Sequence, residues 1–187
     1  MAASGASTDS NELDWISRAQ HGDSQAFGEL VEKHRQGVLN VVYRMCGDPQ
    51  LAEEAAQEAF LRAWQNLRRY NPQFAFRNWV YRIALNIAID GLRRRAETVL
   101  IEDEMLTADA DSPEATLERQ EQAEQVRQVV LGLPPASRAV LILREYEGMT
   151  YQEIADSLDI PIGTVMSRLN YARGQVRQSL RRYWETT

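Results

Sequence analysis

Arginines alternate with aromatic residues between positions 68 and 82. The segment contains Arg68, Arg69, Tyr70, Phe74, Phe76, Arg77, Trp79, Tyr81 and Arg82. Cations that follow a phosphate backbone, together with flat rings on which bases stack, are typical of proteins that bind unpaired nucleic acid. The segment therefore predicts a surface for single-stranded nucleic acid, although Trp79 is more typical of a core residue.

A polar stripe overlaps this segment and continues beyond it. Asn78, Arg82, Asn86 and Asp90 recur every four residues, so on a helix they share one face, opposite an apolar stripe. An amide on that face could form hydrogen bonds with the edge of an extruded base.

Residues 151–170, YQEIADSLDIPIGTVMSRLN, match a helix-turn-helix with Ala155 where the two helices cross. Asp159 takes the turn position where Gly is commoner, and Asp tolerates the left-handed conformation. The second helix is predicted to direct Thr164, Ser167, Arg168, Asn170 and Tyr171 towards DNA bases, with Arg173, Arg177, Arg181 and Arg182 available to phosphates. A helical hairpin that only packs against the rest of the chain is the alternative.

Motifs for enzymatic chemistry are missing. The sequence has no GxxxxGK[ST], GxGxxG, HExxH or GxSxG pattern, and its two histidines, His21 and His34, do not form a convincing acid–base pair. Cys46 is the single cysteine, which excludes an intramolecular disulfide and a Cys-rich zinc site. We therefore predict no catalytic residue, no cofactor and no metal.

Charge is segregated along the 187 residues, whose formal net charge is −6. Residues 59–96 carry a net +7 and residues 160–187 a net +4, within an otherwise acidic chain. Only Lys33 among the 21 basic residues is lysine, and guanidinium groups can pair with phosphate or guanine edges through two hydrogen bonds. A G·C-rich genome would also favour arginine, but it does not explain the clustering.

Helical periodicity dominates, so the fold class is predicted to be all-α. Four helices near 13–20, 24–46, 51–67 and 77–95 form a first domain, with Asp23 as a cap and Gly47 as a stop. An acidic linker follows, and Ser112-Pro113-Glu114 begins the next helix. Further helices are predicted at 135–147, 150–158 and 162–182, with a capping box over Thr150–Glu153.

The first twenty residues lack the basic start and apolar core of a targeting signal, and no stretch approaches the ~18 apolar residues of a membrane span. Together with the single cysteine, this predicts a cytoplasmic protein without membrane insertion.

Four motifs stand in order along the chain: GDSQAFGELVEKH, AEEAAQEAFLRAWQNL, FRNWVYRIALNIAIDGLRRR and LPPASRAVLILREYEGMTYQEIADSLDIPIGTVMSRLNYAR. In this order they resemble the extracytoplasmic-function (group IV) sigma factors of bacterial RNA polymerase. The resemblance implies two small helical domains: region 2 at 20–97 and region 4 at 120–183. A flexible linker at 98–119 joins them, and residues 1–19 form an N-terminal extension that includes the start of the first helix.

The resemblance also implies roles for particular residues. Core RNA polymerase would bind a helix that carries Glu54, Gln57, Glu58, Phe60 and Trp64. The minus-ten promoter element would be opened and read by Tyr70, Phe76, Arg77, Arg82 and Asn86. The minus-thirty-five element would be read by Thr164, Ser167, Arg168, Tyr171 and Arg173. Met166 and Tyr171 depart from the basic residues that the family often has nearby, so the upstream sequence preference is expected to differ.

The predicted function is that of an alternative, stress-responsive sigma factor, with core polymerase, promoter DNA and an anti-sigma factor as partners. The leading alternative is a helix-turn-helix regulator that binds duplex operators as a dimer, and another is an adaptor that binds only protein. The regulator leaves the arginine–aromatic segment without a role. The basic recognition helix opposes the adaptor.

Overall fold

In a computed structural model, which describes residues 10–99 and 117–186, every regular element is helical. The predicted all-α class is therefore confirmed. The elements are α1 (Ser10–Gln20), α2 (Ser24–Cys46), α3 (Pro49–Asn66), a 3₁₀ turn (Leu67–Arg69), α4 (Phe76–Val99), α5 (Leu117–Leu131), α6 (Pro135–Glu145), α7 (Tyr151–Leu158) and α8 (Ile162–Thr186).

Helices α1–α4 pack around one core and are called here the N-terminal bundle. Helix α2 crosses its centre and buries Leu30, Val38 and Met45 completely. Asp23 accepts hydrogen bonds from the first backbone amides of this helix, as predicted. Gly47 ends it with a φ of 77°, a left-handed conformation in which Gly avoids a Cβ penalty.

Helices α3 and α4 flank α2, and small residues let them approach closely. The buried face of α3 consists almost entirely of alanines, with Ala52, Ala59 and Ala63 completely buried. Asp48 caps its N-terminus through the amides of Gln50 and Leu51. This tight packing places the loop between the 3₁₀ turn and α4, residues 70–75, at one end of the bundle.

Helices α5–α8 form the C-terminal bundle, in which α6 packs against α8 and α7 completes the helix-turn-helix. The predicted capping box is present, because Thr150 and Glu153 exchange hydrogen bonds with each other's backbone amides. Asp159 adopts the left-handed conformation, with φ 54° and ψ 51°, as the sequence indicated. Val165 and Leu169 lie on the inner face of α8 and are buried.

The two bundles touch. The C-terminal half of α2 packs against α5 and α6, and α4 packs against α7. The sequence did not predict these contacts.

Helices α1, α4 and α8 extend beyond their predicted bounds, α4 to Val99 and α8 to Thr186, whereas α6 ends two residues early, at Glu145. The predicted helix start at 112–114 and most of the predicted linker lie outside the described residues. None of the helices in the described part of the chain is long and apolar enough to cross a membrane.

Candidate nucleic-acid and protein interfaces

An open cavity of about 370 Å³ lies where α3, the 3₁₀ turn and α4 meet. It is lined by Arg62, Asn66, Arg69, Trp79, Arg82, Ile83 and Asn86. Asn86 is exposed and Trp79 is partly buried, so an amide, a ring and three guanidinium groups surround one recess. This combination suits an unpaired base next to phosphates.

Arg62 and Asn66 line this cavity although the sequence analysis did not select them. They are four residues apart on α3, which places them on one face of that helix, next to Arg69 in the turn. That spacing was a usable signal. Arg62 also forms an ion pair with Glu58, at 2.7 Å between Nε and Oε1.

Tyr70 and Phe76 do not lie on the predicted DNA surface. Phe76 is completely buried and Tyr70 is 5% exposed. The two rings contact each other edge to face at 5.5 Å between centroids, and the Tyr70 hydroxyl donates to the carbonyl oxygen of Phe74. Burial raises the pKa of Tyr70 to about 12. These residues shape the loop, and Phe74, 48% exposed, presents its ring to solvent.

The first turns of α4 carry polar groups that face the C-terminal bundle. Asn78 is 5% exposed, and its side-chain amide helps to lower the pKa of the Glu153 carboxyl. Arg77 is partly buried and lowers the pKa of the same carboxyl through its charge. Arg82 forms an ion pair with Asp159, at 3.2 Å.

The predicted polymerase-docking residues separate into two groups on α3. Glu54 and Gln57 are exposed and Glu58 is half-exposed, next to a shallow groove of about 190 Å³ between α3 and α4. Phe60 is 7% exposed, and Trp64 packs inward with its ring 4.9 Å from that of Phe27. The outward apolar group on this helix is Leu61, which is 51% exposed.

The recognition helix α8 presents a mixed outer face. Ser167 and Tyr171 are exposed, whereas Thr164 and Arg168 are half-buried at its edge. Ile162 and Met166 add exposed apolar surface, 45% and 48% accessible. The Ser167 hydroxyl donates to the Thr164 carbonyl.

Arg173, one turn further along α8, is oriented by an acidic neighbour. Its guanidinium forms an ion pair with Glu145 of α6, at 2.6 Å, and this hydrogen bond raises the pKa of Arg173. The guanidinium therefore stands at a defined position beside the recognition helix.

The described residues contain no group of three or more His, Cys, Asp or Glu side chains that could hold a metal ion.

Family models match both bundles. The sigma-70 region 2 model matches residues 30–98, and the sigma-70 region 4 model matches residues 123–176. Region 2 contains the exposed cations and the amide beside α4, and region 4 contains the helix-turn-helix. Both regions belong to one class of transcription initiation factor, the sigma-70 factors.

Curated relatives cover nearly the whole chain. The RNA polymerase sigma-H factor of Pseudomonas aeruginosa is 34% identical over an alignment of 184 residues, and the match covers 92% of this chain and 95% of the relative. The ECF RNA polymerase sigma factor SigW of Bacillus subtilis is 32% identical over 89% of this chain and 95% of its own length. This chain belongs to the extracytoplasmic-function sigma factors of the sigma-70 family.

Solved structures share the fold. The structure of CnrH in complex with the cytosolic domain of CnrY is similar with a TM-score of 0.69 and 25% identity, and the match covers 92% of this chain and 97% of that one. RpoE from Bartonella quintana, solved with the anti-sigma factor NepR, has a TM-score of 0.68 at 20% identity, over 83% and 96% of the two chains.

Proposed function

We propose that this sigma factor is a non-enzymatic subunit that docks on core RNA polymerase through α3 and reads promoters by two chemically different modes. Residues 20–97 act as region 2 and residues 120–183 as region 4. The observation that carries the proposal is the cavity beside Asn86, where three arginines and Trp79 surround a recess whose lining suits an unpaired base.

The minus-ten mode uses the N-terminal bundle. Arg82 and its neighbours Arg62 and Arg69 contact phosphates, Trp79 offers a stacking face, and the Asn86 amide forms hydrogen bonds with the base. Tyr70 and Phe76 support the loop from within the core. Arg77 lies at the start of α4, where the loop meets the helix. The ring and the amide would contact the face and the pairing edge of a base, which are accessible only in an unpaired strand, so the mode operates once the strands separate.

The minus-thirty-five mode uses the outer face of α8 on duplex DNA. Arg168 forms hydrogen bonds with a guanine edge, while Thr164, Ser167 and Tyr171 contact neighbouring bases and Arg173 contacts a phosphate. The apolar side chain of Met166 suits a thymine methyl group, in place of the basic residue that relatives often carry. The upstream sequence preference of this protein then differs from theirs.

The linker at 98–119 acts as a tether, and its central residues lie outside the described part of the chain. The 17 residues between Val99 and Leu117 span at most ~60 Å when fully extended. Two turns of B-DNA measure about 70 Å, at ~34–36 Å each. With the dimensions of the bundles added to this span, both bundles can hold promoter elements two turns apart.

Transcription by core polymerase on genomic fragments, with and without this protein, identifies its promoters. On those promoters, Arg168→Ala is expected to weaken duplex binding by roughly 1–3 kcal/mol. Asn86→Ala is expected to weaken binding to pre-melted minus-ten DNA and to leave upstream duplex binding intact. Gln36→Ala, an exposed amide on α2, is the control for Asn86. If Asn86→Ala weakens upstream duplex binding equally, the division into two modes is wrong.

An anti-sigma factor controls this protein, in step with a cellular stress, by masking α3, the recognition helix or both. Support comes from CnrH, a similar structure solved in complex with the cytosolic domain of CnrY. Pull-down of the tagged chain from unstressed cells should recover such a partner in near-stoichiometric amount. Recovery of polymerase subunits only, with promoter output that follows the abundance of this chain, would assign control to its synthesis or degradation.

A further inference from the structure

Three carboxylates of the C-terminal bundle contact the part of α4 that begins the minus-ten surface. Glu147 accepts a hydrogen bond from the Tyr81 hydroxyl at 2.7 Å, and Asp159 pairs with Arg82 at 3.2 Å. Glu153 faces Asn78, whose side-chain amide helps to lower the pKa of the Glu153 carboxyl. The contacts fall within five residues of α4, so acidic groups stand against the surface that is proposed to bind phosphates.

The electrostatics of Glu153 agree with this geometry. Burial alone would raise the pKa of its carboxyl, but hydrogen bonds from Thr150, the charge of Arg77 and the Asn78 amide together lower the pKa. Arg77 and Asn78 belong to the other bundle. The carboxylate is therefore ionised at neutral pH, and its charge interacts favourably with that of Arg77.

A second set of contacts holds the bundles together at the C-terminal end of α2. The last carbonyl groups of a helix lack partners within the helix and carry partial negative charge. Arg138 of α6 donates to the Met45 carbonyl and Arg127 of α5 donates to the Gly47 carbonyl. Arg138 is 7% exposed and its bond to Met45 is buried, whereas the bond from Arg127 to Gly47 is partly buried. Both are charge-assisted hydrogen bonds between the bundles.

The backbone at the C-terminal end of α2 allows the C-terminal bundle to approach closely at Gly47. A Cβ atom at Gly47 would lie 2.7 Å from a methyl carbon of Leu131 in α5, closer than side chains pack. The left-handed end of α2 thus leaves space that the C-terminal bundle fills.

The cleft between the bundles has a volume of about 890 Å³ and is lined from both sides. Arg69, Phe74, Trp79 and Arg82 contribute on one side, and Asp156, Asp159 and Pro161 on the other. Meanwhile Ser167 and Tyr171 on the outer face of α8 stay exposed. The arrangement places the C-terminal bundle along one side of the proposed minus-ten surface, and it leaves the outer face of α8 open.

We propose that the free protein closes on itself, with the acidic face of its own helix-turn-helix bundle, formed by Glu147, Glu153 and Asp159, docked on the minus-ten surface as a substitute for DNA phosphates. Promoter melting then requires the bundles to separate, which the linker permits. The proposal rests on the proposed minus-ten role of α4. It adds a competitor for that site within the same chain.

The test is the full-length triple variant Glu147→Gln, Glu153→Gln and Asp159→Asn. Gln can replace Glu in a capping box, and Asn tolerates the left-handed conformation, so the helix-turn-helix is retained. No proposed DNA contact is altered. The control variant, Asp14→Asn, Glu29→Gln and Glu32→Gln, removes the same charge from exposed positions on α1 and α2.

The probe is a pool of random single-stranded DNA oligonucleotides, since stacking and phosphate contacts tolerate any sequence. In the wild type, closure reduces the fraction of molecules that can bind single-stranded DNA. The triple variant loses charged hydrogen bonds across the interface, so it should bind the oligonucleotides about tenfold more tightly or better. The control variant should gain about twofold or less. Small-angle scattering should give a radius of gyration near the ~16 Å of a compact chain for the wild type and a larger value for the triple variant.

Equal gains for the triple and control variants, or no gain with an unchanged radius, would overturn self-closure. Transcription with core polymerase separates this failure from failure of the proposed function. If both variants support transcription as wild type does while their free forms bind single strands equally, only self-closure is wrong. If the wild type itself supports no transcription with core polymerase, the proposed function is wrong.

Discussion

Leu61 provides the sharpest test of polymerase docking through α3. It is 51% exposed in a helix whose other large apolar residues turn inward. Complete burial of a Leu side chain contributes about 1.5–3 kcal/mol, so burial of the remaining half at an interface contributes about 1 kcal/mol. Leu61→Ala should weaken holoenzyme formation roughly fivefold, since 1.4 kcal/mol is about tenfold. Leu61→Asp should weaken it more, because a desolvated carboxylate adds its own penalty.

Leu13 on α1 is the matched control, because it is another exposed Leu of the N-terminal bundle, 47% accessible. The assay is titration of core polymerase with the fluorescently labelled protein, alongside urea unfolding of each variant. Both Leu→Ala changes should leave the free energy of unfolding within about 0.5 kcal/mol, as surface changes do. Equal loss of core binding for Leu13→Ala and Leu61→Ala, or no loss for either, would refute docking through this face.

Trp64 is a poorer probe than the sequence suggested. Its ring packs on Phe27 at 4.9 Å and against the core. Truncation to Ala would remove buried contacts worth about 3–5 kcal/mol and so confuse docking with folding.

Three further outcomes follow from local structure. Replacement of Asp159 by Ala, Asn or Gly removes the Arg82 ion pair in each case. Because φ at this position is 54°, the Ala variant should be about 1 kcal/mol less stable than the Asn variant in urea unfolding, and the Gly variant should be at least as stable as the Asn variant. Equal stability of all three variants would contradict this. A hydrogen bond from the Leu51 amide is the chief reason that the pKa of the Asp48 carboxyl lies below its usual 3.8. The ionised carboxylate therefore contributes stability above about pH 4, and this contribution is lost as pH falls through the lowered pKa. Asp48→Asn should lower the thermal unfolding midpoint at pH 7 and lower it less at pH 3. Burial raises the pKa of the Cys46 thiol to about 11, so iodoacetamide at pH 8 should modify the native protein at least tenfold more slowly than the urea-unfolded chain, as followed by mass spectrometry.

Local features were predictable from sequence because they depend on neighbours within a few residues. The Asp23 cap, the Thr150–Glu153 capping box and the left-handed Asp159 all satisfy backbone groups of their own helix ends. Helical periodicity similarly indicated the all-α class and the buried Val165 and Leu169.

Tertiary structure decided which side chains stay accessible and which segments meet. The arginine–aromatic composition could not distinguish the completely buried Phe76 from the exposed Phe74, because the two residues lie two positions apart where the loop joins α4. The contacts of Arg138 with Met45 and of Tyr81 with Glu147 join residues 93 and 66 positions apart. No local pattern encodes such pairs. They depend on how two bundles approach, which is set by shape and charge over the whole surface.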